Sequence, residues 1–446
     1  MSTGTVSMDD VRFNKFHWKV FAVCVGCPFI DGYALGIIAV GLAEMHRNVE
    51  VSAFWGAMIG MGTLLGMFLG ALIGGPITDA IGRRKMFMLD FSFIVIVCVL
   101  GFFFVDPMMV FIFRVLLGIG LGADYPIAGP YLTEFSPKKQ RGGVVGALNA
   151  FWYIGYAAAF VIGYSMLSLG EDAWRWMLAS PAVIAFVWLI GRLVMPESPR
   201  WLMRQGRHAE AAKVLKKIGP NVVLGEDQEE EKMGKFADIF KNGYGKWVFF
   251  VGAFWSLQVM PTFGIGTYVP TILANLGFAD GSQEYLGAAL MNVFYLLGLI
   301  PIYFLMDRLG RRPTMLWPFL VSGIALIVLA ATSGMQMSFA FVLTMFVIYG
   351  AFNVVMGAHQ WVYPNELFPT QIRATAVGFV VSVSRIASAA ATFFFPYVMN
   401  NWGLSTALYI CAGMFLVGFV LTYIMAPETK DMNLADAAEM TATANK

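Results

Sequence analysis

The sequence predicts an all-α membrane protein with twelve transmembrane helices in two related six-helix halves. Of its 446 residues, 58% are hydrophobic and 13% are charged, whereas about 25% of the residues of a soluble globular protein are charged. Apolar stretches long enough to cross a bilayer, about 20 residues each, recur along the chain, and short motifs of the first half reappear in the second. These observations exclude an ordinary soluble enzyme, a disordered chain, a collagen and a disulfide scaffold.

Twelve apolar windows, separated by charged residues or by Pro and Gly clusters, give the predicted helices. The first window follows a polar stretch and has no small-residue cleavage site, so we predict a retained helix and not a signal peptide. All four cysteines lie inside apolar windows, which favours helix packing over a disulfide or a metal site. The windows are 17–40, 52–74, 86–105, 107–130, 142–166, 175–195, 247–274, 285–305, 314–333, 339–362, 374–398 and 405–426.

The positions of Lys and Arg predict how these helices are oriented. Positive residues of short loops stay on the cytoplasmic side of a membrane. With both termini in the cytoplasm, the cytoplasmic connections hold the motifs around Arg83 and Arg311 and the basic stretch that begins at Arg192. The outer loops then hold only Arg47 and Arg175. We therefore predict a multi-pass protein of the plasma membrane, surrounded by the lipid bilayer, with both termini inside.

The connection between the two halves differs from them in composition. It is rich in charged residues and is amphipathic around residues 207–218, as expected for a solvated segment. The predicted organisation is an N-terminal six-helix bundle over 1–195, a cytoplasmic linker over 196–246, a C-terminal six-helix bundle over 247–430 and a cytoplasmic tail over 431–446.

Three motifs of the first half recur in the second half at nearly the same spacing, which indicates an internal duplication. The pairs are Asp79 with Gly82-Arg83-Arg84 and Asp307 with Gly310-Arg311-Arg312, then Glu134 with Arg141 and Glu366 with Arg373, then Pro196-Glu197 and Pro427-Glu428. Acids and arginines at the inner ends of packed helices can pair with each other and with helix dipoles. We predict that they form a gate that holds the halves together on the cytoplasmic side and breaks when that side opens. Its predicted members are Asp79, Arg83, Glu134, Arg141, Asp307, Arg311, Glu366 and Arg373, and Asp90 is assigned to the same network.

These motifs resemble those of the major facilitator superfamily from Trp18 to Lys430. The stretch 75–84 resembles the loop signature between helices 2 and 3, although Ala80 replaces the usual basic residue. The other motifs resemble the sugar porters and their relatives, the organic-ion and bacterial metabolite:proton symporters, and the runs 31–33 and 122–126 look most like the bacterial inner-membrane group. Sugar porters usually carry paired glutamines and an Asn in helix 7, where this chain has Gln258 alone. The resemblance implies a transporter of the major facilitator fold.

Few ionisable side chains lie deep in the predicted membrane, and each needs a partner or a function. Asp31 in helix 1 and Arg114 in helix 4 both lie about 20 Å from the cytoplasmic side. A guanidinium beside a carboxylate tunes its affinity for protons, so we predict a proton-coupling pair, as in the proton-coupled relatives; the alternative is a permanent structural ion pair. Asp124, about 15 Å nearer the cytoplasm than Arg114, is either a further proton-coupling residue or a cap for a backbone kinked at Pro126.

Arg385 lies near mid-membrane in helix 11 and has no acid in its own helix. Arginine stays charged and matches a carboxylate, so this residue predicts an organic-anion substrate. The alternative is an interhelical pair with Asp31 or Asp124. Aromatic and amide side chains at similar depth are predicted to line the substrate cavity, namely Tyr153, Tyr156, Trp255, Gln258, Asn353, Gln360 and Trp361.

The predicted function is therefore secondary active transport, and no enzymatic activity is expected. The chain is expected to symport protons with a small organic anion, such as an aromatic or hydroxylated carboxylate, by alternating access. The alternatives are a sugar or polyol:proton symporter and, less compatible with a mid-membrane cation, a drug or organic-cation:proton antiporter. The sequence has no paired histidines at metal-binding spacing and no nucleotide-binding loop, so no cofactor, metal or nucleic acid is predicted. The resemblance implies a monomer in a bacterial inner membrane.

Overall fold

The computed structural model describes residues 6–8, 10–137, 140–224, 236–241, 243–278, 283–368 and 370–429. Within these ranges the side chains of residues 79, 126, 141, 142, 145, 297, 299–307, 361, 362, 365, 370, 371 and 374 fall outside the description. The helices are α1 Lys15–Cys24, α2 Gly26–Asn48, α3 Ala53–Ile81, α4 Arg83–Gly101, α5 Pro107–Phe135, α6 Arg141–Met166, α7 Ala173–Ala179, α8 Pro181–Leu193, α9 Pro199–Arg204, α10 His208–Ile218, α11 Tyr244–Thr267, α12 Val269–Asn275, α13 Gln283–Leu309, α14 Arg311–Thr332, α15 Phe339–Leu367, α16 Thr370–Trp402 and α17 Leu404–Met425.

All twelve predicted spans correspond to helices. Within the described ranges, nine helical stretches are long and apolar enough to cross a membrane. One of these stretches, 146–193, contains two predicted spans. The predicted spans 86–105 and 285–305 correspond to α4 and α13. The predicted all-α membrane architecture is confirmed, with several helices extending further at their ends than the apolar windows do.

Three predicted spans are each built from two consecutive helices, because a proline interrupts the backbone ladder. In the window 175–195, α7 ends at Ala179 and α8 begins at Pro181, which has no N–H to donate. Pro28 has no N–H to donate to the carbonyl of Cys24, and α1 ends at that residue. Pro270 likewise cannot donate to the carbonyl of the fourth residue before it. The helix is interrupted at Tyr268, between the end of α11 and the start of α12.

The segment predicted as a linker is folded where the structure describes it. It contains α9, α10, a 3₁₀ helix at Phe236–Phe240 and the short strand β2, Val222–Val223. This strand pairs in parallel with β1, Val6–Ser7, near the N-terminus. The apolar face of α10 joins a core cluster with residues of α1, α4 and α5, as the amphipathic pattern of this segment predicts.

The described contacts divide the chain into two compact units. Unit 1 comprises 1–34, 65–156 and 175–230, and unit 2 comprises 35–64, 157–174 and 231–446. In unit 1, α4 packs on α5 and α8, and α1 packs on α5. In unit 2, α11 packs on α16 and α17, and α14 packs on α15 and α17. The predicted boundaries at residues 195 and 246 stay a prediction.

In unit 1, α2 and α6 touch backbone to backbone. A Cβ built on Gly32 would lie 1.9 Å from the carbonyl oxygen of Trp152, and a Cβ on Gly155 would lie 2.0 Å from that of Phe29. Only glycine fits where two backbones approach so closely. This reciprocal contact places Asp31, next to Gly32, directly beside α6.

Replacing Gly32 by alanine is expected to destabilise the protein, because the methyl group would force the two backbones apart. Overpacking of this kind costs about 1–3 kcal/mol. Thermal unfolding of the purified full-length protein in detergent measures the effect. Gly378→Ala is the matched control, since a Cβ on that helical glycine meets nothing within 4 Å and is expected to leave the midpoint unchanged or higher. An unchanged midpoint for Gly32→Ala would show that the contact tolerates a side chain.

Candidate functional site

A carboxylate caps the helix that begins with the first basic motif. Gly82, at the turn before α4, has φ of 97°, a conformation that favours glycine. The carboxylate of Glu197 accepts hydrogen bonds from the backbone N–H groups of Arg83 at 3.0 Å and Arg84 at 3.2 Å. Since helix N-termini leave their first N–H groups without helical partners, Glu197 satisfies two of them and meets the positive end of the helix dipole.

The second half repeats this cap residue by residue. Gly310 has φ of 93° at the turn before α14. Glu428 accepts hydrogen bonds from the backbone N–H groups of Arg311 at 2.8 Å and Arg312 at 3.0 Å. The repeated Pro-Glu motif of the sequence therefore has one structural function in both halves.

The predicted gate residues form ion pairs inside each unit. In unit 1, Arg83 pairs with Glu134 at 2.7 Å, and in unit 2, Arg311 pairs with Glu366 at 2.8 Å. Arg373 donates a hydrogen bond to the carbonyl oxygen of Phe368 at 2.9 Å. The expectation was a network that joins the halves, whereas the two described pairs brace the helix ends of one unit each. The side chains of the other predicted members, Asp79, Arg141 and Asp307, lie outside the described residues.

Asp31 and Arg114 are both buried in unit 1, each with 3% of its surface exposed. The guanidinium of Arg114 donates a hydrogen bond to the carbonyl oxygen of Ala34 at 3.1 Å. Ala34 lies about one helical turn beyond Asp31 on α2. The structure thus brings α5 against the turn of α2 that carries Asp31.

Asp124 lies in another group of charges, centred on Arg192 of α8. Arg192 pairs with Asp90 at 2.9 Å and with Asp124 at 3.4 Å, and its side chain is fully buried. Two predictions from the sequence, the partner of Asp90 and the surroundings of Arg192, are therefore wrong. Asp90 pairs with Arg192 and not with the described gate arginines, and the side chain of Arg192, in the last turn of α8, is buried and not solvated.

Three of the predicted substrate residues meet in a polar network of unit 2. The Gln258 amide donates to the side-chain oxygen of Asn353 at 2.5 Å, and the Gln360 amide donates to that of Gln258 at 2.5 Å. Thr262, which sequence reasoning missed, accepts a hydrogen bond from Asn353 at 2.9 Å. Its position four residues after Gln258 places both on one face of α11, a signal that the sequence does carry. The network is neutral and is formed by amides and one hydroxyl group.

Arg385 lies on the helix that packs along this network. It is 8% exposed on α16, and α16 packs on α11. Both Arg385 and Gln258 lie about four turns from the start of their helices. Trp255, one turn before Gln258 on α11, is also buried. Arg385 and Gln258 thus lie at a similar distance from the start of two helices that pack together, while the side chain of Trp361 lies outside the described residues.

The predicted tyrosines of helix 5 belong to unit 1. The ring of Tyr156 stacks on Trp152, with centroids 5.3 Å apart, and the ring of Tyr153 meets Trp152 edge to face at 5.0 Å. Tyr156 is buried and Tyr153 is half-buried. These rings form one aromatic cluster on α6 close to the Gly32 contact.

A charged cluster that the sequence did not reveal lies at the predicted outer ends of helices in unit 2. Arg47 of α2 pairs with Glu284 of α13, and Tyr285 donates a hydrogen bond to Glu44 at 2.8 Å. A cavity of about 360 Å³ adjoins the pair. Its lining includes His46, Tyr268, Thr271 and Asn400 and, among the described residues, none of the predicted substrate residues. These contacts tie a helix of the first half to a helix of the second.

The sequence matches one family model over nearly its whole length. Residues 20–441 match the model described as Sugar (and other) transporter. The metabolite transport protein YaaU of Escherichia coli (strain K12) is 39% identical over 98% of this chain and 97% of its own length. The inner membrane metabolite transport protein YgcS of the same organism is 37% identical over 99% of this chain and 98% of its own length.

Solved structures show the same fold. The xylose transporter XylE from E. coli, in a partially occluded inward open conformation, superposes with a TM-score of 0.80 over 94% of this chain and all of that chain. The sequence identity is 21%, so this likeness concerns the fold. The predicted major facilitator fold is thereby confirmed.

Proposed function

Because the chain belongs to the Sugar (and other) transporter family, we propose that it is a proton-coupled symporter of a small organic anion that carries hydroxyl groups. The observation behind this proposal is the position of Arg385 at the depth of a neutral amide network on the adjacent helix. A buried guanidinium binds a carboxylate in a two-pronged geometry. Amide side chains donate to and accept from hydroxyl groups. A hydroxylated carboxylate offers partners to both.

Asp31 is the proposed proton carrier, and Arg114 tunes it. In support, both residues are buried on helices that contact each other at Ala34. XylE, which shares the fold, is a proton:xylose symporter. Asp124, also predicted for proton coupling, belongs to a separate group of charges on α4, α5 and α8.

The proposed transport cycle is alternating access in a bacterial inner membrane with both termini in the cytoplasm. In such a cycle the contacts between helices of different halves must break in turn. The Arg47–Glu284 pair and the Glu44–Tyr285 hydrogen bond are the contacts proposed to release when the outer side opens. The Arg83–Glu134 and Arg311–Glu366 pairs would keep each half intact during this movement.

A neutral sugar or polyol is the second candidate substrate. The mutually hydrogen-bonded amides Gln258, Asn353 and Gln360 carry no charge, as suits a ligand made of hydroxyl groups. XylE transports such a ligand. In this version Arg385 would be a structural cation and would not contact the substrate.

A thermal-shift screen separates the two candidates. Purified full-length protein is heated with carboxylates, neutral sugars and organic cations, because a ligand that binds only the folded state stabilises it by about 2.7 kcal/mol at a hundredfold excess over Kd. We expect hydroxylated carboxylates to raise the midpoint in the wild type and to have no effect on Arg385→Ala. The exposed Arg207 provides the control, since Arg207→Ala should respond as the wild type does.

The opposite result is equally clear. If sugars stabilise the wild type and Arg385→Ala to the same extent, while carboxylates stabilise neither, the anion proposal is wrong and the sugar alternative holds. Stabilisation by organic cations would contradict both proposals.

A further inference from the structure

We propose that Asp90, Asp124 and Arg192 form a proton-binding site in unit 1, separate from Asp31, that holds one exchangeable proton shared by the two carboxylates. The three residues come from three helices, α4, α5 and α8. The occupancy of this site by a proton does not depend on the transported substrate. Its role in transport rests on the proton coupling proposed above.

A single guanidinium, that of Arg192, donates hydrogen bonds to both carboxylates. Nη1 of Arg192 donates to Oδ1 of Asp90 at 2.9 Å and to the carbonyl oxygen of Phe87 at 2.7 Å. Nη2 donates to Oδ1 and Oδ2 of Asp124 at 3.4 and 3.5 Å and to Sγ of Cys27 at 2.8 Å. The plane of the guanidinium also lies over the ring of Phe91, whose centroid is 3.3 Å from Cζ.

The charges in this site do not balance unless a proton is bound. Arg192, Asp90 and Asp124 are 0%, 3% and 2% exposed, and one positive and two negative charges leave a net charge of −1 in an apolar bundle. A buried charge without a partner is strongly unfavourable, and two carboxylates that share a site do not both ionise readily. One added proton makes the site neutral.

Among the described residues, no other cation interacts with this site. Of the described groups that interact with the site, the remaining titratable ones are the thiols of Cys24 and Cys27, from α1 and α2, and neither is a cation. Oδ2 of Asp90 is buried and has no hydrogen-bond partner in the described part of the chain. This oxygen is therefore available to hold the shared proton.

The site adjoins both helices that carry the Asp31 and Arg114 pair. Cys27, which contacts Arg192, lies one turn before Asp31 on the same face of α2. Asp124 lies about 15 Å from Arg114 along α5, toward the predicted cytoplasmic side. The site therefore lies on the predicted cytoplasmic side of the Asp31 and Arg114 pair.

Infrared difference spectroscopy tests the proposal without a substrate. The full-length protein in lipid is titrated from acid to alkaline pH, and the C=O stretch of protonated carboxyl groups is followed in H₂O and D₂O. We expect a titrating band that disappears in Asp90→Asn and also in Asp124→Asn, because either change leaves one acid to balance Arg192. The band should persist in Asp31→Asn and in Arg192→Lys, which keeps the charge.

In the Asp31→Asn background, where the first proton carrier gives no band, three results would overturn the proposal: a band that survives both further asparagine changes, a band lost with only one of them, or a band that does not respond to pH. If an asparagine variant does not fold, aspartate-specific ¹³C labelling in the Asp31→Asn background replaces it, and the absence of a ¹³C-sensitive titrating band has the same meaning. Loss of a band in Asp31→Asn alone would support the first proton carrier and reject this second site, so the two proposals fail separately.

Discussion

Arg192→Met is expected to prevent the isolation of a stable folded protein. Methionine fills a similar volume but leaves Asp90 and Asp124 without their cation in a fully buried site. Removing one partner of a buried ion pair costs about 3–5 kcal/mol, a large share of the roughly 5–15 kcal/mol by which native proteins are stable. The measurement is the yield of monodisperse protein in size-exclusion chromatography, together with the thermal midpoint of what is recovered.

Two further variants show whether charge is the cause. The triple variant Arg192→Met, Asp90→Asn, Asp124→Asn removes all three charges and should regain most of the lost yield. Arg207→Met, at an exposed arginine paired with Glu210, should behave as the wild type. Normal yield and stability for Arg192→Met alone would show that the buried acids do not need this cation.

Asp31→Asn is expected to abolish uphill transport while leaving binding and exchange intact. A pH difference of one unit corresponds to about 1.4 kcal/mol per proton, so one symported proton allows about tenfold accumulation. Without a group that takes up the proton, the accumulation ratio in proteoliposomes should fall to about one. The measurement uses the best compound of the thermal-shift screen, with an imposed pH gradient and, separately, with equal pH and preloaded substrate for exchange.

Asp238→Asn is the matched control, because Asp238 forms an exposed pair with Lys241 and has no proposed part in coupling. It should accumulate substrate as the wild type does. Undiminished accumulation by Asp31→Asn would mean that another group carries the proton. If the variant lost both accumulation and exchange, the substitution would have damaged the fold and not the coupling alone.

The sequence predicted the architecture well because membrane helices and duplications leave direct traces in it. Apolar windows gave every span, since a helix that crosses lipid needs a continuous apolar surface. The repeated glycines and acids predicted equivalent positions, and Gly82 with Glu197 and Gly310 with Glu428 occupy the same turn and cap in both halves. The windows missed the helix breaks, because proline changes backbone hydrogen bonds without changing hydropathy.

The sequence predicted the candidate site less completely, because it does not give the distances between helices that decide which side chains pair. It identified Gln258, Asn353 and Gln360 as polar groups at mid-depth but gave no partners for them. It placed Arg192 with the solvated basic residues, since it lies at the end of an apolar window. Two acids in neighbouring apolar windows, Asp90 and Asp124, were the signal that a buried cation had to be present.

The contact between α2 and α6 limits how the protein can move. Around Gly32 and Gly155 the two backbones meet without an intervening layer of side chains, and such contacts between small residues hold membrane helices close together. A conformational change at a helix interface needs side chains that can repack, and at these two glycines no side chain lies between the helices. We therefore expect Asp31 and the stacked rings of α6 to keep a constant separation throughout the proposed alternating-access cycle.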